Sequence, residues 1–180
     1  MNYFVCVSLP KRLQQKLGAI LPDAQGWKKV KSNQIHLTLR FIGKMDNEEL
    51  IKLRDDLSHV EFSPFYLALS EVRFFPQNKF PKVIWMGVEK SESLICLQNS
   101  VDDTVTGVIG RKSEHAFNPH ITLARIKQQG ITKQKVLGRL SSLPVGESFE
   151  VDQFYLVRSE RDHQGATHHN VQQYDAKSGG

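Results

Sequence analysis

Two tetrapeptides share one design: His36-Leu37-Thr38-Leu39 and His120-Ile121-Thr122-Leu123. In a strand alternate side chains share a face, so each segment presents an imidazole and a hydroxyl together and turns its apolar pair toward a core. A His-x-Thr arises by chance on the order of 0.2 times in a chain of this length and ordinary composition. One copy alone would read as a structural histidine bonded to a neighbouring threonine. Two copies, each a polar face inside an apolar strand, are costly to fold unless they are used. Imidazole titrates near neutrality, so of two facing imidazoles one can hold a proton while the other lacks it. Set on either side of a phosphorus, the two imidazoles of His36 and His120 would serve, in either order, as general base and general acid of an in-line displacement. The hydroxyls of Thr38 and Thr122 would donate to the non-bridging oxygens as charge builds there. Arg40 continues the polar face of the first segment.

Other chemistries find little support. Neither motif contains a carboxylate, and there is no His-x-x-x-His or thiolate cluster, so no metal is called for. Gly-x-Ser-x-Gly and a Gly-rich phosphate loop are both absent, which argues against a serine hydrolase and against an ATP-driven enzyme. No cofactor is expected.

The elements that must position these residues follow from periodicity. Residues 3–9 read as a first strand ending at Pro10, and 11–21 as a helix with Leu13, Leu17, Ile20 and Leu21 on its apolar side. A basic loop, Trp27-Lys28-Lys29-Val30-Lys31, precedes the first motif strand at 35–41, which Gly43 closes. Asp46 or Asn47 caps a helix to about Leu57. Residues 65–69, 72–75 and 83–88 are strand-like, with a Pro- and Asn-bearing turn at 76–81. Ser91 or Ser93 caps a helix to about Val108. Then come the second motif strand at 120–125, a short helix at 132–140, a strand at 149–157 and a terminal strand at 168–174. The order strand, helix, His-x-Thr strand, helix occurs twice, which predicts two α/β halves related by an approximate two-fold axis.

Composition sets the frame. The 180 residues form one domain, expected over 1–175, with 176–180 a flexible tail. Hydrophobic residues are 39% and charged residues 24%, which excludes a disordered or collagenous chain. Cys6 and Cys96 both sit in apolar stretches and read as buried free thiols in a reducing compartment. No apolar run approaches a membrane span and the start lacks a basic signal opening, so the expected location is the cytoplasm. The net charge of +5 favours an anionic partner such as RNA, DNA or a phosphorylated small molecule.

With these residues assembled, the chain resembles the two-histidine (2H) phosphoesterases, and within them the RNA 2',3'-cyclic phosphodiesterases, also called 2'-5' RNA ligases. The resemblance rests on both His-x-Thr motifs and their flanks, residues 35–43 and Phe117-Asn118-Pro119-His120-Ile121-Thr122-Leu123-Ala124-Arg125. The opening Tyr3–Pro10 and the Phe75-Pro76 and Val83–Val88 hairpin add to it, so roughly 3–160 are covered. Beyond that it weakens. The family often has a Gly and then a Tyr in a last strand, whereas here Gly165 is followed by Ala166, Thr167, His168 and His169.

The resemblance implies an α+β fold of two pseudo-symmetric lobes, each an antiparallel sheet flanked by helices, with a central cleft. It implies metal-independent hydrolysis of RNA 2',3'-cyclic phosphate ends to 2'-phosphates, with reversible 2'-5' joining of tRNA halves as the other family activity. By analogy His36 is the proton donor and His120 the general base. Thr38 and Thr122 bind the phosphate, as does Arg125 at a matching family position. Strict alternation would turn Arg125 away from His120, so its use requires a bulge or a strand that ends near Ala124. Arg40 has the right face. The partner is RNA bearing a cyclic phosphate end, tRNA fragments included; no protein partner and no membrane are called for. The alternatives are a phosphodiesterase for small cyclic nucleotides and a non-catalytic RNA-binding module. Trp27 with Lys28, Lys29 and Lys31 could stack on a base and bind phosphates, or be a solvated run. Phe41 shares the face of Leu37 and Leu39 and reads as core, as does Trp85. His59 reads as structural, His115 as a loop residue, and His163, His168 and His169 as exposed.

Overall fold

The two His-x-Thr strands lie side by side. The computed structural model describes residues 1–177. In it β1 (Asn2–Ser8) pairs antiparallel with β3 (His36–Gly43), and β5 (Val83–Val88) with β6 (Ile121–Ile126). A single residue pair, Leu37 opposite Ile121, joins β3 to β6. These are the middle residues of the two motifs, so the approximate two-fold axis passes between them.

Around this seam the strands β2 (Trp27–Lys29), β4 (Phe65–Phe75), β7 (Ser148–Val151), β8 (Gln153–Asp162) and β9 (Gly165–Asp175) complete an open antiparallel sheet. Its order is β7-β4-β5-β6-β3-β1-β8-β9, with β2 on the side of β6. The first lobe is therefore β3, β1, β8 and β9, and the second is β6, β5, β4 and β7. The helices α1 (Lys11–Ala19), α2 (Asn47–Leu57), α3 (Glu92–Ile109) and α4 (Lys133–Leu137) flank it.

Connections cross between lobes in matching ways. After β1 in the first lobe, α1 lies toward the second, where Arg12 and Lys16 meet Glu147 just before β7. After β5 in the second lobe, α3 lies on the first, where Gln98 Nε2 donates to the Leu39 carbonyl. The duplicated order of elements thus corresponds to a duplicated path in space. Local signals place the ends. Asp46 and Glu49 form a reciprocal capping box on α2, Ser91 caps α3, and Gly110 ends it at φ 69°, a left-handed conformation that costs glycine little. One core runs through both lobes, from Val5 and Leu37 through Ile121 to Phe154.

Several expectations change. Residues 65–69 and 72–75 are one strand with an irregularity between Leu69 and Val72. The expected strand at 149–157 is two strands, which pair in different lobes. The basic segment is no loop, because Trp27–Lys29 pairs with Ile126–Ala124. Cys6 is buried, and burial pushes its thiol up to about 12, whereas Cys96 is exposed. Of the expected tail, the Ala176 and Lys177 amides bond to the carbonyls of Asp152 and Phe62, and 178–180 lie outside the described residues. No helix among the described residues is long and apolar enough to cross a membrane.

Candidate active site

Each motif strand carries an extra residue directly after its threonine. Opposite β1, Cys6 pairs with Thr38 and Val5 with Arg40, so Leu39 is bulged; opposite β5, Trp85 pairs with Thr122 and Ile84 with Ala124, so Leu123 is bulged. The carbonyls at these bulges find donors elsewhere: Gln98 Nε2 at Leu39 and the Val30 amide at Leu123. A bulge shifts alternation by one place, so the side chains beyond it change faces.

The shift decides three residues. Arg125 comes onto the face of His120 and Thr122 and lines the cleft, as its use required. Arg40 goes the other way. It is 6% exposed, with Nε 2.7 Å from Asp102 Oδ1 on α3 and its guanidinium donating to the carbonyls of Phe41 and Arg111. The expectation that Arg40 continues the polar face is thereby corrected: it braces β3 against α3. Phe41, expected in the core, is 59% exposed for the same reason. Arg40→Gln is expected to lower unfolding free energy by about 3 kcal/mol, because it strands a carboxylate that has lost its partner. In urea titration and steady-state kinetics this variant should show reduced stability with an unchanged KM.

The cleft has a volume of about 330 Å³ and is bordered by both motifs, β2 and the β8–β9 hairpin tip. His36, Thr38, His120 and Thr122 all line it. Each histidine is fixed alike: His36 Nδ1 lies 2.5 Å from the Gln34 carbonyl and His120 Nδ1 lies 2.8 Å from the Asn118 carbonyl. A carbonyl only accepts, so Nδ1 carries the hydrogen and Nε2 is the reactive nitrogen of both rings. His36 Nε2 accepts from the Thr38 hydroxyl at 3.0 Å.

Aromatic rings hold both imidazoles from below. His36 stacks on Phe4 of β1 with centroids 4.9 Å apart, and His120 meets Phe75 and Trp85 edge-on at 5.3 and 5.8 Å. Burial pushes His36 down to about 4; the Gln34 carbonyl opposes this, and His168 and His120 add to it. Near neutral pH burial therefore favours the uncharged imidazole of His36.

The walls are cationic. Lys28, Lys29, Lys31, Arg125, Lys127 and Arg161 line the cleft, and among the described residues no carboxylate does. The hairpin tip is tied down over it: Lys28 Nζ donates to the Gln164 carbonyl and Gln34 Nε2 to that of Ala166. Gly165 stands there at φ 123°, and a Cβ would lie 2.8 Å from Lys28 Nζ. Of the basic segment, the lysines line the cleft, but Trp27 does not. Its ring is buried, with Nε1 donating to the Pro22 carbonyl.

Sequence reasoning missed His168. It lines the cleft, its ring lies 5.5 Å from His36 and 5.1 Å from Phe4, and burial lowers its pKa. It also missed Gln34, Lys127 and Arg161. The charge of both was visible, but Lys127 comes to the cleft from the end of β6 and Arg161 only through the curl of the β8–β9 hairpin.

This arrangement can donate and accept a proton on either side of an anion held by hydroxyls and cations. Comparison with known proteins points the same way. The family model of the 2'-5' RNA ligase superfamily matches residues 10–163. An RNA 2',3'-cyclic phosphodiesterase of Archaeoglobus fulgidus is 32% identical over 162 residues, 88% of this chain and 91% of that protein. One from Thermus thermophilus is 30% identical over 193 aligned positions, 98% and 91% of the two chains. Among solved structures, TT0787 of Thermus thermophilus superposes with a TM-score of 0.84 at 27% identity, covering 99% of each chain. Escherichia coli LigT complexed with 3'-AMP shares the fold with a TM-score of 0.80 at 20% identity, covering 98% of each chain.

Proposed function

The chain belongs to the 2'-5' RNA ligase superfamily, and from that premise we propose that it hydrolyses terminal 2',3'-cyclic phosphates of RNA to 2'-phosphates. The observation that carries the reading is the pair of Nε2 atoms, one from each lobe, facing one cation-lined cleft beside two threonine hydroxyls.

His120 takes a proton from water as the oxygen attacks phosphorus. The P–O3' bond breaks opposite, and His36 delivers its Nε2 proton to O3', which leaves as a hydroxyl. The phosphate stays on O2'. Thr38, Thr122 and Arg125 donate to the non-bridging oxygens, where negative charge grows. A donor must first be protonated, and burial of His36 opposes this. An anionic phosphate against Nε2 favours the imidazolium, so His36 gains its proton as substrate binds. With a 5'-hydroxyl strand end in the place of water, the same step, His120 taking the proton of the 5'-hydroxyl and His36 protonating O3' as the P–O3' bond breaks, joins 2'-5' ends without ATP, and its reverse cleaves them. Fragments of cleaved tRNA, which bear both kinds of end, are the proposed substrates.

The test is incubation of an RNA oligonucleotide ending in a 2',3'-cyclic phosphate with the protein and a chelator. The expected product is the 2'-phosphate alone. A 3'-phosphate would overturn the assignment of O3' as the protonated oxygen, and an intact cyclic end would overturn the activity.

A further inference from the structure

The cations are sorted along the chain. Three segments, 26–34, 76–88 and 115–139, carry ten of the 24 Lys and Arg residues and none of the 19 Asp and Glu. The rest of the chain is net negative. All three segments belong to β2 and the β5–β6 side of the second lobe, so the excess charge is gathered on one part of the surface. Outside them the cations tend to be paired: Arg12, Lys16, Lys52, Arg73 and Lys177 each meet a carboxylate. Lys79, Lys82, Arg125, Lys127, Lys133 and Lys135 are exposed and, among the described residues, have no acidic partner.

Only some of these cations line the cleft. Arg125 and Lys127 do, and the surface continues from them onto the turn between β4 and β5. The Ile126 amide, between those two residues, donates to the Lys82 carbonyl at 2.8 Å. At that turn Phe80 is 49% exposed, with Lys79 Nζ 5.5 Å from its ring centroid. The turn is held firmly. The Phe80 amide donates to Asn78 Oδ1, the Lys82 amide to the Phe75 carbonyl, and the Lys133 amide at the start of α4 to the Lys79 carbonyl. An exposed ring held on a braced turn, among unpaired lysines and continuous with a phosphate-binding cleft, has the makings of a stacking platform for single-stranded nucleic acid.

We propose that RNA upstream of the cyclic phosphate leaves the cleft past Arg125 and Lys127 and lies across the β4–β5 turn, where Phe80 stacks on a base and Lys79, Lys82 and Lys133 neutralise phosphates. This rests on the RNA reading above and extends it to a footprint several nucleotides long. Continuity with the cleft favours an RNA strand over an acidic protein surface as the occupant.

The test compares an RNA octamer ending in a 2',3'-cyclic phosphate with a cyclic mononucleotide. Phe80→Ala should lower kcat/KM for the octamer about tenfold, and Phe80→Trp should restore it. Neither should change kcat/KM for the mononucleotide, which also certifies the fold. Binding of the 2'-phosphate octamer to the Lys79→Gln/Lys82→Gln/Lys133→Gln variant should depend less on salt, the log–log slope falling by about 2. Octamer kinetics and salt slopes equal to wild type in both variants would overturn the footprint and leave this face to some other anionic partner. Failure of the wild-type protein to hydrolyse either substrate would instead overturn the activity, and the octamer binding measurement would still judge the footprint.

Discussion

Replacing His36 or His120 with alanine is expected to lower kcat on a cyclic-phosphate RNA by about 10³-fold, since each removes one proton-transfer partner. The double variant should lie within about tenfold of either single one, because acid and base act in one transition state and their losses do not add. Single-turnover assays on the three variants measure this. The two losses should also be similar, given that the rings are held alike by the Gln34 and Asn118 carbonyls and by aromatic neighbours. A single variant retaining a tenth or more of wild-type kcat would remove that residue from the chemistry.

The second large effect is on pH dependence. His36 is held down at about 4 in the folded protein, against 6.5 ordinarily, with burial the main cause. The fold thus favours neutral His36. Above pH 6.5 folded and unfolded chains both hold it neutral. As pH falls from 6.5 to about 4 the unfolded chain takes up a proton that the folded one refuses, and stability is lost. The loss is about 3 kcal/mol in all. It is complete once the folded protein itself protonates. Urea unfolding at pH 7 and pH 4 should show this loss in wild type, and His36→Gln should lack it. Equal losses in the two proteins would place the acid sensitivity elsewhere. Catalysis samples the same group. The profile of kcat/KM should be a bell whose acid limb lies near pH 4, well below an ordinary imidazole, because it reports the free enzyme. The bell has this acid limb whichever of the two histidines is donor, since one proton shared between two sites gives one population of the active form.

The relation of the two lobes bears on both results. Leu37 and Ile121 meet at the approximate axis, so His36 and Thr38 on one side answer His120 and Thr122 on the other. The site is nonetheless unequal. Beyond the matching bulges, Arg125 and Phe41 take corresponding open positions, and Arg40 corresponds to the buried Ala124. One lobe therefore brings a guanidinium to the cleft where the other turns its own inward, onto Asp102. A reaction with distinct donor and acceptor suits a scaffold that repeats its histidines and varies what surrounds them.

What the chain determined by itself is local. The period-two motifs made strands, with His120 directly before the second, and set an imidazole and a hydroxyl on one face, and Asp46, Ser91 and Gly110 set helix ends within a turn, because these signals act between residues near in sequence. The two motifs, being identical in design, also made their pairing across an axis legible. Tertiary structure decided the rest. A bulge inserts one residue against a partner strand, and no periodicity within a single strand records it, so Arg40, Phe41 and Arg125 could be placed only once β1 and β5 lay alongside. His168 sits far from both motifs in sequence and reaches His36 only because the β8–β9 hairpin curls over the cleft. The protonation of His36 was decided last, since burial is a property of everything packed around a group and of none of its neighbours in sequence alone.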